Sequence, residues 1–165
     1  MNISGIDFES IVDGVGVRVV VFVSGCMHDC TGCHNPASHS FSAGRPFTKE
    51  LQDEIIDYIK STPFISGITM SGGDPMYSAA EIAEFIVRLK TEVPDISVWI
   101  YSGFEYEEIK TDDDMAHLLS LCDVLVDGEF VLEQRDTTLP YRGSRNQRVI
   151  DVKKSNEGGK VVLFQ

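Results

Sequence analysis

Cys26, Cys30 and Cys33 stand in a C-x3-C-x2-C spacing inside the stretch Ser24-Gly25-Cys26-Met27-His28-Asp29-Cys30-Thr31-Gly32-Cys33-His34-Asn35. The run just before it, Val17-Arg18-Val19-Val20-Val21-Phe22-Val23, is apolar and β-branched and reads as a buried parallel strand. The thiols therefore sit on the loop that leaves the carboxyl end of a strand, the edge at which α/β sheets and barrels bind ligands. Three thiolates on one short loop can each ligate a different iron of a [4Fe–4S] cube, leaving one iron without a protein ligand. An open metal position accepts a small molecule, as catalytic metal sites do.

Two other readings compete. Cys30-Thr31-Gly32-Cys33-His34 is also the C-x-x-C-H pattern of covalent haem attachment, but it leaves Cys26 without a role. A structural zinc could take Cys26, Cys30, Cys33 and either His28 or His34, although no second pair of cysteines or histidines is present to complete the usual two-pair arrangement. Spacing and strand context favour the cluster, with His28 and His34 as loop histidines beside it. Cys122, alone before an apolar strand, reads as a buried core thiol.

A chain of 165 residues suits one domain, 1–165, with one substantial core. No apolar run approaches the roughly 20 residues that span a bilayer, and Met1 to Asp7 lack the pattern of a signal peptide. The expectation is a cytoplasmic, reducing location with no membrane contact, where clustered cysteines serve as ligands or catalysts. A formal net charge of −12 argues against nucleic acid as a partner. Residues 1–126 carry 7 Lys and Arg against 20 Asp and Glu, whereas 127–165 carry 7 against 6. Arg135, Arg142, Arg145 and Arg148 make the second part the candidate face for a partner.

Along the chain, Asp13-Gly14-Val15-Gly16 is a turn into the first strand; as a dinucleotide-binding motif it lacks a third glycine and precedes a strand. Thr48 is the expected N-cap of a helix to about Ser61. A strand over Gly67–Met70 leads into Ser71-Gly72-Gly73-Asp74-Pro75, and Ser78-Ala79-Ala80-Glu81 reads as a capping box opening the next helix. Strands follow at 96–101, 124–126, 147–152 and 161–164, with two short acidic helices after the first of these. Alternating strands and helices predict α/β architecture, an open partial (β/α) barrel with mainly parallel strands, since a full eight-fold barrel needs about 250 residues. The ends Ser24-Gly25-Cys26, Ser71-Gly72-Gly73-Asp74, Ser102-Gly103 and Asp127-Gly128 then share one rim. The double glycine is either a tight turn or a place where backbone approaches an amino-acid-like head group closely.

The cysteine motif on a strand-end loop resembles the signature of radical S-adenosylmethionine enzymes, and Ser71-Gly72-Gly73-Asp74-Pro75 resembles their methionine-binding motif. Asp13-Gly14-Val15-Gly16-Val17-Arg18, Phe22 and Ser24-Gly25-Cys26 are similar to the glycyl-radical activating enzymes of that superfamily. Pro46-Phe47-Thr48, Val126-Asp127-Gly128-Glu129-Phe130 and Arg142-Gly143-Ser144-Arg145-Asn146-Gln147 narrow the resemblance to activators of anaerobic ribonucleoside-triphosphate reductase. Activators of pyruvate formate-lyase are the neighbouring alternative, and a small iron–sulfur electron carrier is the alternative from another class. Two departures stand out. Gly32 occupies the position before the third cysteine where an aromatic residue is common, and Val15 replaces a common proline.

The resemblance implies a [4Fe–4S] cluster on Cys26, Cys30 and Cys33, with S-adenosyl-L-methionine held near Gly32, Cys33, His34, Gly72, Gly73 and Asp74, and Ser102 as a further contact. It implies reductive cleavage to methionine and a 5′-deoxyadenosyl radical, which removes hydrogen from a glycine of the reductase's large catalytic subunit. It also implies a low-potential electron donor such as flavodoxin.

Overall fold

A computed structural model describes residues 1–165. Seven strands form one sheet: β1 (Asn2–Ser10), β2 (Val17–Val23), β3 (Arg45–Pro46), β4 (Ile65–Gly72), β5 (Ser97–Tyr101), β6 (Val124–Asp127) and β7 (Arg148–Asp151), in the spatial order β3-β1-β2-β4-β5-β6-β7. The central strands β2, β4, β5 and β6 run parallel, and β1, β3 and β7 add antiparallel pairs outside them. Five helices connect or follow these strands: α1 (Lys49–Ser61), α2 (Ala79–Glu92), α3 (Tyr106–Ile109), α4 (Asp113–Ser120) and α5 (Val152–Gly158).

Period-two alternation decides which face each strand residue serves. Val19, Val21 and Val23 of β2, Ile68 and Met70 of β4, Val98 and Ile100 of β5 and Leu125 of β6 join one core. Ile55 and Ile59 of α1, Ile82, Phe85 and Ile86 of α2, and Leu118 of α4 join that same core, so the helices cover a single face of the sheet. The opposite face carries Arg18, Thr69, Trp99 and Tyr101, with a small cluster of Trp99, Val124 and Val126 covered by Tyr141 and Phe164.

Arg18 is the unusual member of an otherwise apolar strand, only 1% exposed. Its guanidinium bonds Thr69 Oγ1 at 2.8 Å and the carbonyls of Ile68 at 2.8 Å and Ser97 at 2.9 Å, and it lies over the Trp99 ring. Burial lowers its pKa to about 10, so it stays charged at neutral pH, with acceptors in place of a carboxylate.

Several expectations change. β4 extends to Gly72, so the glycine turn begins inside the strand. Thr48 does cap α1, accepting the Leu51 N–H, but Ser78 makes no side-chain cap bond. A 3-10 turn over Pro75–Ser78, capped by Asp74, precedes α2 and takes Ser78 out of the box geometry. Residues 161–164 form only an isolated bridge, Leu163 to Ile150, because α5 occupies Val152–Gly158. No helix is long and apolar enough to cross a membrane.

Candidate functional site at the carboxyl rim of the parallel strands

β2 ends at Val23 and the chain enters the cysteine loop, which backbone hydrogen bonds fold back on itself. Gly25 N–H donates to Ser38 O at 2.7 Å, Cys26 N–H to His39 O at 3.0 Å and Cys33 N–H to Cys30 O at 3.1 Å. Asp29 and Gly32 take left-handed backbone, φ 53° and 75°, reversing the chain between the cysteines. The three thiols are half-buried and unpaired by disulfides, whereas Cys122 is buried in the core. Cys26, Cys30 and Cys33 line one cavity of about 160 Å³ together with Gly72, Gly73 and Ser102. The sequence-predicted rim is therefore assembled, with β2, β4 and β5 each delivering residues to it and Phe130 closing the side after β6. His34 lines this cavity as well; Gly32 and Asp74 stand outside its lining.

Burial raises the Cys26 thiol to about 11 and also pushes Cys30 up, and the mutual repulsion of the thiolates adds to both. A metal cation reverses that balance, because it displaces the thiol proton and neutralises the sulfur. No three His, Cys, Asp or Glu side chains converge on one ion position. A cluster spreads its thiolates over separate irons and needs no such convergence. His28, a candidate for the zinc alternative, has both ring nitrogens engaged: Nε2 lies 2.7 Å from Asp74 Oδ2 and Nδ1 2.8 Å from Glu129 Oε1. The hydrogen bond to Asp74 is the main cause of its raised pKa, ahead of the contribution of Glu129.

Asp74 is 1% exposed, and its oxygens are taken within the chain. Oδ2 also accepts from Ser102 Oγ at 2.9 Å and Gly103 N at 2.8 Å, and Oδ1 from Met76 N at 2.9 Å. One carboxylate thus joins the cysteine loop, through His28, to the ends of β4 and β5. The glycines are explained by close approach inside the chain. A Cβ on Gly72, φ 101°, would come within 2.4 Å of Val23 N, and one on Gly73 within 2.5 Å of Gly25 O. At Gly32, a Cβ would stand 3.1 Å from Leu132 Cδ1 and 3.6 Å from Phe130 Cε1. Leu132 thus stands nearest the space beside Gly32, with Phe130 next to it, and the Phe130 ring meets His34 edge-on at 5.2 Å.

His39 escaped the sequence reading. Its Nε2 lies 3.3 Å from Cys33 Sγ, and Asn35 N–H donates to the same sulfur at 3.4 Å. Of the arginines near the carboxyl end, Arg148 pairs with the buried Asp127 and with Glu107, and Arg142 donates to the Gln147 carbonyl at 2.6 Å. Arg145 is exposed. A larger cavity, about 620 Å³, opens at the amino ends of the strands beside Arg18 and Trp99. Arg18 is already satisfied there, so the thiols, and not cavity size, mark the site.

Residues 12–150 match the family described as a 4Fe-4S single cluster domain. The anaerobic ribonucleoside-triphosphate reductase-activating protein of Vibrio cholerae is 44% identical over 140 residues, covering 83% of this chain and 89% of that protein. The chain belongs to the family of anaerobic ribonucleoside-triphosphate reductase-activating proteins. Other members include the proteins of that name from Haemophilus influenzae, 41% identical over 140 residues, and Escherichia coli, 38% identical over 142 residues. The former alignment covers 83% of this chain and 89% of the relative, the latter 84% and 91%. In this family member, the cysteine loop, the Ser71–Gly73 turn and Phe130 all fall within the matched 4Fe-4S region.

Proposed function

We propose that this chain activates anaerobic ribonucleoside-triphosphate reductase by placing a glycyl radical on its large subunit, with Cys26, Cys30 and Cys33 holding a [4Fe–4S] cluster and S-adenosyl-L-methionine bound beside it. The observation that carries the reading is the convergence of three free thiols with the ends of β4 and β5 on one cavity. The parallel strands β2, β4, β5 and β6 with helices on one face support an open partial (β/α) barrel of the radical S-adenosylmethionine type. A cluster held by Cys26, Cys30 and Cys33 would supply the electron for reductive cleavage of S-adenosylmethionine to methionine and a 5′-deoxyadenosyl radical. Transfer of a hydrogen atom from a glycine of the large subunit to that radical would give 5′-deoxyadenosine and the glycyl radical.

The chain's own contribution is position and exclusion of water. Gly72 and Gly73 offer backbone surface to the methionine end. The left-handed turn at Gly32 brings Cys33 and His34 to the wall on the cysteine side, where the edge-on pair His34 and Phe130 presents aromatic surface for the adenine. Asp74 acts through Ser102, Gly103 and His28, holding the strand ends and the cysteine loop in one frame. The large catalytic subunit docks over the rim, and an electron donor of the flavodoxin type reduces the cluster. Four unpaired cysteines suit the reducing cytoplasm.

The test is anaerobic mixing of reconstituted protein, S-adenosylmethionine, a low-potential reductant and the large subunit. The expected result is a glycyl-radical electron paramagnetic resonance doublet that disappears with Cys30→Ala. A doublet of wild-type size in that variant refutes the reading.

A further inference from the structure

His39 belongs to no motif of the loop, yet it touches both ends of the cysteine stretch. Its carbonyl accepts the Cys26 N–H at 3.0 Å, and its ring Nε2 lies 3.3 Å from Cys33 Sγ. The two contacts have different chemistry. The backbone contact closes the loop whatever side chain stands at 39. The ring contact reaches the sulfur itself, and it is joined there by the Asn35 N–H at 3.4 Å. Among the three thiols of the loop, only Cys33 receives a side-chain donor as well as a backbone one at its sulfur. A thiolate on iron is an acceptor only, so with Cys33 ligating, the hydrogen must sit on Nε2 and point at the sulfur.

We propose that His39 is a positioning residue that sets the cluster's reduction potential through an Nε2–H hydrogen bond to the Cys33 thiolate. The inference rests on the cluster assignment above. A donor at the sulfur draws off electron density and favours the more negative, reduced cluster, so it raises the potential. The half-buried setting of both partners sharpens the effect, because water screens a hydrogen bond less there. The equilibrium concerned is uptake of one electron by the oxidised cluster from an external low-potential reductant, with no proton or bond exchanged.

The experiment is an anaerobic redox titration of the reconstituted full chain with dithionite and mediators, followed by the paramagnetic resonance of the reduced cluster. Wild type is compared with His39→Leu, which removes the donor, and His39→Gln, which keeps an N–H. Since the Cys26 N–H is held by the backbone carbonyl of residue 39, both variants retain that closure. The expected result is wild-type iron and sulfide content in both, with reduction of His39→Leu about tenfold less favourable, a downward shift of about 59 mV for one electron. His39→Gln should recover most of the difference. Equal potentials in wild type and His39→Leu overturn the proposal while leaving the cluster assignment standing. Failure of both variants to hold a cluster overturns it too, assigning the residue to assembly. A wild-type chain that takes up no [4Fe–4S] cluster refutes the underlying assignment instead.

Discussion

Gly73→Ala is expected to damage the cysteine loop itself before it touches any ligand. The new Cβ would come within 2.5 Å of Gly25 O and 2.8 Å of Ser38 O, both backbone atoms with no flexible side chain to swing aside. Those atoms belong to the hydrogen bonds that hold the loop: Gly25 O accepts the Asp74 N–H at 2.9 Å, and Ser38 O accepts the Gly25 N–H at 2.7 Å. Overpacking of a well-packed site typically costs about 1–3 kcal/mol. Stretching a net hydrogen bond adds about 1 kcal/mol, so a loss of about 2–4 kcal/mol is expected. For a chain of this size each kcal/mol lowers Tm by about 2–4 °C, and thermal unfolding of the cluster-free variant should fall by roughly 4–16 °C. Circular dichroism melts give the first number, and iron and sulfide content after anaerobic reconstitution gives the second, which should also drop. A Tm within about 1 °C of wild type together with full cluster content would refute the packing argument. It would leave Gly73 with its cavity-lining role alone.

Phe130→Ala should leave cluster content unchanged and weaken S-adenosylmethionine binding by about tenfold, since the wall against His34 is lost; equilibrium binding to the reconstituted protein reads this, and unchanged affinity contradicts it. Cys122→Ala should keep the cluster intact and lower stability by about 1–2 kcal/mol, because the buried thiol donates to Val124 O at 2.9 Å inside the core; loss of the cluster would show that Cys122 is a ligand. Arg145→Ala should reduce glycyl-radical formation on the large subunit more than it reduces S-adenosylmethionine cleavage by the isolated activator, since its guanidinium is exposed while Arg148 serves internal acids. Equal losses in both assays would place Arg145 in folding or cofactor binding.

The part of the site that sequence reveals is the part set by local spacing. The cysteines share a loop, Val17–Val23 is apolar enough to be a central strand, and parallel alternation brings Ser71–Gly73 and Ser102 to the same rim. Contacts made by distant segments carry no such pattern. His28 meets Glu129 across 101 positions and Asp74 across 46, so nothing near His28 announces a bridge. His39 reads as a loop polar residue until the 3-10 turn at Pro36–Ser38 swings it back to Cys33. β1 escapes because Asn2-Ile3-Ser4-Gly5-Ile6-Asp7-Phe8-Glu9-Ser10 mixes polar and apolar residues and has register breaks against β2. The double glycine reads in sequence as either a tight turn or a ligand approach, and the closeness of the Val23 and Gly25 backbone to it is a third constraint that only the fold displays. Both glycines are required by the chain before any ligand arrives.

The central claim is that the cavity at Cys26, Cys30 and Cys33 performs reductive cleavage of S-adenosylmethionine, and product analysis tests it most directly. The reconstituted protein is incubated anaerobically with S-adenosylmethionine and dithionite, without the large subunit, and 5′-deoxyadenosine and methionine are quantified by chromatography. The account predicts both products in equal amounts, dependent on reductant and abolished by Cys33→Ala. A cluster-loaded, reduced protein that yields neither product, or an undiminished yield from Cys33→Ala, would contradict it.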